Sequence, residues 1–373
     1  MTKIKIILIG LLVSTSLFIS AQTTIVDSVF SGGIFRKYRL YIPAIYNGNT
    51  PRPMVIDLHG YTSNAANEQM YSNFMPVADT ANFLVVYPQG TLLNGQPYWN
   101  AGMTNTGVND VQFISDLIGT IGNNYAVDHN CVYACGMSNG GFMSHTLACS
   151  LNNKITAIAS VAGSMFLTQY SNCWPSRAVP VMQISGNADG TVPYTGSTTM
   201  LPIDTLVKYW VTKNSCNPVP QYTAVPDIYT GDGCTAEHYV YTGGTAGATV
   251  ELYKILGGGH SWPGSPYVIG ITNKDFLASL EIWLFFRKYT LDQFVGIKEL
   301  SGIDNIRIFP NPSTNVVTVE GDRIETILIK DLSGKIIIKT DKKQIDISSL
   351  AQGIYSVVLI SGNSCLVKKL IKI

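Results

Sequence analysis

The chain carries the pentapeptide Gly-Met-Ser-Asn-Gly at residues 136–140, and its flanks constrain the fold more than any other stretch. An apolar, strand-like run precedes it at residues 132–135, and residues 141–148 read as a helix packed by its apolar face. A strand, a sharp turn and a helix around G-x-S-x-G make a nucleophile elbow, whose glycines leave room for the neighbouring chain. The pentapeptide alone also fits a glycine-rich surface turn. The rest of the chain must therefore supply partners for Ser138.

Residues 1–21 predict a secretory signal peptide. Lys3 and Lys5 precede an apolar run at residues 6–19, which is too short to be a good membrane span, and cleavage is expected after Ala21. The chain is 46% hydrophobic and only 13% charged, so a sizeable core is possible. Its net charge of +1 and the lack of a basic stripe argue against a nucleic-acid partner. We expect an exported, soluble protein without a membrane span.

Six apolar runs bounded by turn signals predict strands that are covered on both faces. They are residues 54–58, 83–87, 132–135, 155–161, 179–184 and 250–256. Helical stretches lie between them, and the clearest is residues 110–125, with Asp110 as the predicted N-cap. This alternation predicts an α/β fold with a mostly parallel, doubly wound sheet. In such sheets the chemistry lies at the carboxyl ends of the strands.

A nucleophile, an acid and a histidine each follow one of these predicted strands. They are Ser138, Asp189 and His260, and Ser…Asp…His is the chain order of the α/β-hydrolase fold. Ser138 needs a base, which we assign to His260 in its glycine-rich loop; Asp189 would fix the tautomer and stabilise the imidazolium. The alternative for Asp189 is a plain turn aspartate. His129, His145 and His238 are interpreted as structural, and in the strand-end loop of His59 the backbone is the more useful part.

An oxyanion hole is expected from two backbone N–H groups, those of Asn139 and Tyr61, with Gly60 permitting a close turn. Metal catalysis is disfavoured because the chain has no His-Glu-x-x-His pattern and no paired Cys-x-x-Cys. No cofactor is expected.

Seven cysteines leave at least one unpaired if the rest are oxidised. Cys131 and Cys135 lie too far apart along one strand to bridge each other. Loop position favours the pairs Cys149–Cys173 and Cys216–Cys234, and export permits such bridges. Buried free thiols are an equally weighted alternative.

Several further stretches carry a family resemblance, alongside the elbow, Asp189 and the loop around His260. They are residues 58–60, 87–90, 99–100, 108–111, 192–194 and 258–264, with a closing helix around residues 282–286. Residues 25–290 resemble extracellular esterases that include polyhydroxybutyrate depolymerases and the feruloyl and acetylxylan esterases of carbohydrate esterase family one. The resemblance implies ester hydrolysis through an acyl-enzyme on Ser138, Asp189 and His260.

The same resemblance bears on the cleft and has two departures. Trp99 and Trp262 would line the cleft, with His59 as a further substrate-binding residue, although both tryptophans could instead be packing residues. The family often has a histidine where Ser185 stands, and two aspartates where residues 109–110 are Asn-Asp. Neither departure touches the predicted triad.

The character of the chain changes after Tyr289. Short alternating strands predict a small β-sandwich, at residues 316–320, 327–330, 335–339 and 355–360. This region resembles the C-terminal sorting domain of the type IX secretion system, on residues 309–312, Asp331, 334–335, 347–350 and 353–355. A carbohydrate-binding or spacer module is the alternative. The expected organisation is a signal peptide (1–21), an esterase domain (22–290), a linker (291–305) and a sorting domain (306–373).

The sequence thus predicts a secreted serine esterase acting on feruloyl or acetyl esters of plant polysaccharide. The sorting domain would bring in the type IX secretion machinery as a partner. A polyester depolymerase is the first alternative. A non-catalytic polysaccharide-binding surface protein and a serine peptidase on the same fold are the others.

Overall fold

The computed structural model describes residues 22–102, 107–295, 306–321, 324–331, 335–361 and 364–373. The predicted signal peptide and most of the predicted linker lie outside these residues. The chain divides into two compact units, Met1–Phe294 and Val295–Ile373, which are taken in turn. No helix in the described ranges has the length and apolar character that crossing a membrane requires.

The described residues of the first unit form twelve strands, ten of them in one sheet. They are β1 (Thr23–Ser31), β2 (Ile34–Ile42), β3 (Arg52–Leu58), β4 (Leu84–Pro88), β5 (Thr91–Leu93), β6 (Gln96–Tyr98), β7 (Val127–Met137), β8 (Ala157–Val161), β9 (Val181–Gly186), β10 (Gln221–Ala224), β11 (Thr235–Tyr241) and β12 (Val250–Leu256). The large sheet has the order β1-β2-β4-β3-β7-β8-β9-β12-β11-β10, while β5 and β6 form a separate hairpin. The six central strands, in the spatial order β4-β3-β7-β8-β9-β12, are parallel to one another. The two strands at each edge, β1 and β2 on one side and β11 and β10 on the other, pair antiparallel.

Helices cover both faces of this sheet. They are α1 (Ala65–Ser72), α2 (Met75–Ala81), α3 (Asp110–Asn124), α4 (Asn139–Ser150), α5 (Leu167–Ser171), α6 (Ile203–Lys213), α7 (Ala278–Phe286) and α8 (Asp292–Val295). Alternate strand residues point to opposite faces, so β3 sends Met54, Ile56 and Leu58 into one core and Val55 into the other. The first core is closed by α3, α4 and α6 and the second by α1, α2 and α7.

The predicted doubly wound, mostly parallel sheet is confirmed, and each of the six predicted strands is present within a few residues. The antiparallel edge strands were not predicted. One local prediction was wrong: Asp110 does not cap α3. The cap is Asn109, whose Oδ1 accepts from the N–H of Gln112 at 2.9 Å. Asp110 is instead the first helical residue, and its carboxylate pairs with Arg36.

The second unit is all-β. Its strands are β13 (Arg307–Phe309), β14 (Val316–Glu320), β15 (Thr326–Lys330), β16 (Ile336–Thr340), β17 (Gln344–Asp346), β18 (Gly353–Ser361) and β19 (Ser364–Lys372). They form a three-stranded sheet, β13-β14-β17, and a four-stranded sheet, β16-β15-β18-β19. Both sheets contribute to one apolar core, with Val317 and Ile345 from the first and Ile329 and Val357 from the second. This arrangement confirms the predicted sandwich.

Of the two predicted disulfides, one is present and one is not. Cys149 and Cys173 form a disulfide, as predicted. The predicted Cys216–Cys234 pair is wrong, because both are free and buried. Cys216 packs in the core beside α6, whereas Cys234 packs in the core on the other face of the sheet, so the sheet separates the two thiols.

Candidate active site

Ser138 lies at the carboxyl end of β7, directly before α4, in a strained backbone conformation. Its φ of 53° and ψ of −117° are rare for a residue with a side chain, and its N–H donates to Val161 O at 2.8 Å. The flanking glycines are required by close packing. A Cβ on Gly140 would lie 1.9 Å from Leu58 O, and one on Gly136 would lie 2.5 Å from the same atom. The elbow is thus wedged against the end of β3.

Asp189 and His260 are in direct contact. The His260 Nδ1–H donates to Asp189 Oδ2 at 2.7 Å, and the Asp189 side chain is 2% exposed against 22% for His260. The other carboxylate oxygen, Oδ1, accepts the N–H groups of Thr191 and Val192, both at 2.8 Å. Since its own turn holds Asp189, the carboxylate presents Oδ2 to the imidazole in a fixed orientation.

The loops that carry these two residues are joined to each other. The Gly257 N–H donates to Asn187 Oδ1 at 2.7 Å, and the Ala188 N–H donates to Gly258 O at 3.0 Å. A Cβ on Gly186 would lie 2.2 Å from Gly258 O, so only glycine lets the histidine loop cross the end of β9. These contacts set the position of His260.

Ser138 and His260 face the same cavity, which has a volume of about 520 Å³. Its lining is mostly apolar, with Tyr61, Met70, Tyr71, Met137, Tyr267 and Ile269 among the residues on its walls. No hydrogen bond joins Ser138 to His260 in this structure. Contacts between a nucleophile and its base are often long in the absence of substrate and tighten when the substrate binds.

The two expected oxyanion donors lie beside the serine. Asn139 opens α4, where a first-turn N–H has no helical partner. Tyr61 belongs to the loop after β3, and a Cβ on its neighbour Gly60 would lie 3.5 Å from Ser138 Cβ. Among the described residues, neither the Tyr61 nor the Asn139 N–H has an acceptor. Both donors are therefore free to meet a developing negative charge.

Trp99 does not line the cleft; this prediction was wrong, because the side chain is fully buried. Its Nε1–H donates to His59 O at 2.9 Å. Its backbone N–H donates to Asn139 Oδ1 at 2.6 Å, and its carbonyl accepts from Asn139 Nδ2 at 3.1 Å. Trp99 therefore ties together the two chain segments that carry the candidate oxyanion donors.

Trp262 and His59 are also buried away from the cavity, which corrects the expectation for both. The Trp262 backbone N–H donates to the Tyr71 hydroxyl at 3.0 Å, and its ring packs against Phe74, so it anchors the chain just after His260.

His59 bridges two loops. Its Nε2 accepts from the Gly90 N–H at 3.0 Å, which places the proton on Nδ1, and Nδ1 donates to Gly60 O at 2.7 Å. Burial lowers the pKa of His59 to about 4, partly countered by the Gly60 carbonyl. The ring is therefore neutral at ordinary pH and fixes the loop that ends in Tyr61.

Two of the other histidines make contacts away from the cavity, His145 fully buried and His238 partly exposed. His145 lies between Gln183 and Trp210, and burial lowers its pKa to about 4. His238 contacts Glu251 at 2.9 Å and stacks on Tyr253. Neither side chain lines the cavity.

The sequence interpretation missed a pair of buried carboxyl groups beside the cavity, Asp57 and Glu68. Burial raises the pKa of Asp57 to about 7, although contacts with the Ser72 and Cys135 side chains act to lower this pKa. Burial, followed by the nearby Asp57 charge, raises the pKa of Glu68 well above its usual range. Glu68 lines the cavity, yet it is 1% exposed. One signal was available, because Asp57 interrupts an otherwise apolar strand that is covered on both faces.

Metal-ligating residues do not cluster in the described ranges: no group of three or more His, Cys, Asp or Glu side chains there could hold an ion.

Two family models match parts of the chain. The "Prolyl oligopeptidase family" model matches residues 68–174, which include the elbow, and the "Secretion system C-terminal sorting domain" model matches residues 307–373. Together with the sheet order and the strand–turn–helix at Ser138, these matches define the class: an α/β-hydrolase followed by a C-terminal sorting domain.

Several esterases are similar to this chain. Feruloyl esterase B of Piromyces equi is 27% identical over 61% of this chain and 42% of its own length. Feruloyl esterase D of Neurospora crassa is 26% identical over 69% of this chain and 83% of its own length. A solved acetyl xylan esterase from Aspergillus awamori has 15% identity and a TM-score of 0.49, covering 63% of this chain and 94% of its own. The predicted resemblance of the chain to secreted carboxylic esterases, feruloyl esterases among them, is confirmed.

Proposed function

We propose that the protein is a secreted serine esterase in which Ser138, His260 and Asp189 form the catalytic triad. The observation that carries the proposal is one shared cavity. It is faced by a serine on a strained elbow, by a histidine oriented by a buried carboxylate, and by Tyr61; the backbone N–H groups of Tyr61 and of Asn139, the residue after the serine, have no acceptor among the described residues. Each of these is a part that acyl transfer needs.

The geometry supports the following mechanism. His260 Nε2 takes the proton of Ser138 as the hydroxyl oxygen attacks the ester carbonyl, and the negative charge develops on the carbonyl oxygen between the N–H groups of Tyr61 and Asn139. His260 then gives the proton to the leaving alcohol, which departs and leaves an acyl-enzyme. Water, activated by the same imidazole, attacks the acyl carbon and releases the acid and Ser138.

The cavity favours a bulky acyl group. A volume of about 520 Å³ lies within the range of roughly 300–1,000 Å³ that is typical of sites for organic ligands. An acetyl group would leave most of this space empty, whereas a hydroxycinnamoyl group brings an aromatic ring to walls made by Tyr61, Met70 and Tyr267. We therefore propose hydroxycinnamoyl esters of plant polysaccharide as the substrates, in line with the names of the similar feruloyl esterases.

The sorting domain supports the proposed location. It marks the protein as secreted or cell-surface, and we propose that it directs the esterase through the type IX secretion machinery. Comparing the mass of the cell-associated protein with that of the secreted protein tests whether residues 307–373 are removed on export. Intracellular retention of a variant without those residues supports the role in export, and unchanged secretion contradicts it.

The role of Ser138 as the nucleophile is tested by the substitution Ser138→Ala. We expect turnover of p-nitrophenyl acetate to fall by at least about 10³-fold, since the nucleophile is lost while the oxyanion donors remain. Ser144→Ala, the same change six residues further along α4, is the matched control and should retain activity. Unchanged turnover in a folded Ser138→Ala variant would show that Ser138 is not the nucleophile.

The proposed specificity for a hydroxycinnamoyl group is tested by comparing kcat/KM for methyl ferulate, acetylated xylan and short polyhydroxybutyrate oligomers. Methyl ferulate should be the best substrate. A clear preference for the oligomers would instead support a polyester depolymerase.

The match of residues 68–174 to the prolyl oligopeptidase model favours one second candidate, a serine peptidase with the same triad. Hydrolysis of peptide amides at a rate comparable to that of esters would support it. We expect esters to be strongly preferred.

A further inference from the structure

A groove of about 420 Å³ lies on the first unit, apart from the cavity that Ser138 faces. It is formed by α5, by the segment Cys173–Trp174 and by one side of α6. Trp174 is 73% exposed, whereas the other four tryptophans of the chain are buried. Tryptophan is enriched at binding surfaces because its flat ring offers a large apolar contact area.

Trp174 is held in place rather than free to move. The preceding residue, Cys173, is bonded covalently to Cys149 of α4, and its carbonyl accepts from the Tyr209 hydroxyl at 2.7 Å. The Lys213 ammonium lies 3.7 Å from the centre of the Trp174 ring, which adds a cation–π contact. One ring face is thus covered by the lysine, while the large exposed area leaves the other face open to the solvent.

The rest of the groove combines aromatic rings with hydrogen-bonding groups. Tyr170 and Tyr209 pack edge to face with ring centres 5.2 Å apart. Exposed Thr205, Lys208 and Thr212 follow one another at helical spacing along α6, so they share one side of that helix. No carboxylate is among the residues that line the groove.

We propose that this groove binds a polysaccharide chain, with a sugar ring stacked on the open face of Trp174. Sugar rings present C–H faces that pack on aromatic rings, and their edges carry hydroxyl groups that Thr205, Lys208 and Thr212 can contact. A purely apolar partner would leave those polar groups without hydrogen bonds. The identity of the occupant rests on the polysaccharide substrate proposed above, but the site is separate from the catalytic one.

The test is the affinity of the full chain for soluble arabinoxylan, measured by retardation in gels that contain the polysaccharide. Trp174→Ala should weaken binding by about tenfold, the loss of roughly one aromatic contact. Trp174→Phe should retain most of the affinity, because it keeps a flat ring. Tyr222→Ala, which removes another exposed aromatic ring on β10, is the control and should bind as the wild type does.

The same variants separate this proposal from the proposed function. Turnover of p-nitrophenyl acetate should be unchanged in Trp174→Ala, and Ser138→Ala should keep its affinity for arabinoxylan. Equal affinity of Trp174→Ala and wild type, or no retardation of the wild type, overturns the groove proposal while leaving the esterase untouched. Loss of both affinity and ester turnover in Trp174→Ala, with an altered melting temperature, would make Trp174 a structural residue and also overturn it.

Discussion

Asp110 and Asp57 are buried on opposite faces of the same sheet, and their surroundings differ. Asp110 accepts from Arg36 at 2.7 Å through Oδ1 and from the Asn100 N–H at 2.7 Å through Oδ2. In the part of the chain that the structure describes, no cation is among the groups that act on Asp57, and its buried neighbour is Glu68. Within the described residues, Asp57 Oδ2 and Glu68 Oε1 have no hydrogen-bond partner.

The contrast separates two uses of a buried carboxyl group. At Asp110 the guanidinium satisfies the charge, so the group can hold α3, β2 and the chain around Asn100 together. At Asp57 and Glu68 two carboxyl groups share a buried site, and ionising both of them at ordinary pH would carry a large cost. Glu68 of the second site lines the cavity that Ser138 and His260 face, whereas Asp110 does not.

The largest effect is expected from breaking the compensated site. Arg36→Met should lower the free energy of unfolding by about 3–5 kcal/mol, because it leaves the Asp110 charge buried without a partner. Arg287→Met, at an exposed arginine, should change it by less than about 0.5 kcal/mol. Urea unfolding followed by tryptophan fluorescence is the measurement, since all five tryptophans lie in the first unit. Equal effects of the two changes would mean that Asp110 does not depend on Arg36.

A pH series sharpens the comparison at the uncompensated site. Asp57 titrates near pH 7 when folded and near its ordinary value of 3.8 when unfolded, so the folded state binds more protons between these values. The free energy of unfolding should therefore fall as the pH rises, by about 2 kcal/mol from pH 5 to pH 7 for this group. Asp57→Asn should remove most of that fall, while exposed Asp227→Asn should not. A wild-type stability that rises over this interval, with no difference in Asp57→Asn, would contradict the raised pKa.

The smallest effect is expected at Glu251, where a buried carboxylate contacts two partly exposed side chains, His238 and Lys288. Burial raises its pKa, but His238 and Lys288 outweigh burial and hold the pKa below its usual range. This stabilisation is present above the unfolded pKa and is lost as the pH falls, the opposite sign to Asp57. Lys288→Met should cost about 0.5–1 kcal/mol at pH 7, since Lys288 is 52% exposed. The difference from wild type should shrink in acid; a difference that grows there would be inconsistent with this assignment.

The sequence was most informative where one local pattern determines the structure. Continuous apolar runs predicted the central strands, and the chain order of Ser138, Asp189 and His260 predicted which loops would meet. In the structure Asp189 and His260 are in contact, and Ser138 faces the same cavity as His260. These predictions needed only periodicity and the rule that chemistry lies at strand ends.

The sequence was least informative where a side chain's role depends on distant neighbours. A tryptophan side chain such as that of Trp99 or Trp262 can line a cleft or fill a core, and the sequence does not distinguish the two. Only the assembled fold reveals that the indole N–H groups donate to His59 O and to Ser279 Oγ. Cys216 and Cys234 both lie in loops, and which core each thiol joins is determined by tertiary packing. The polar partners of Asp110 come from segments 74 and 10 residues away, which no local spacing encodes.

Helix α4 sets a distance scale for the substrate. Ser138 stands before its first turn and Cys149 near its end holds the Trp174 segment, so eleven residues at 1.5 Å each separate the two by about 17 Å. In the proposed esterase, α4 thus sets the spacing between the proposed nucleophile and the disulfide that holds the segment carrying Trp174. An ester on a short sugar fragment would contact only the cavity that Ser138 faces. The affinity contributed by the groove beside Trp174 should therefore increase with polymer length until one polysaccharide chain reaches both sites.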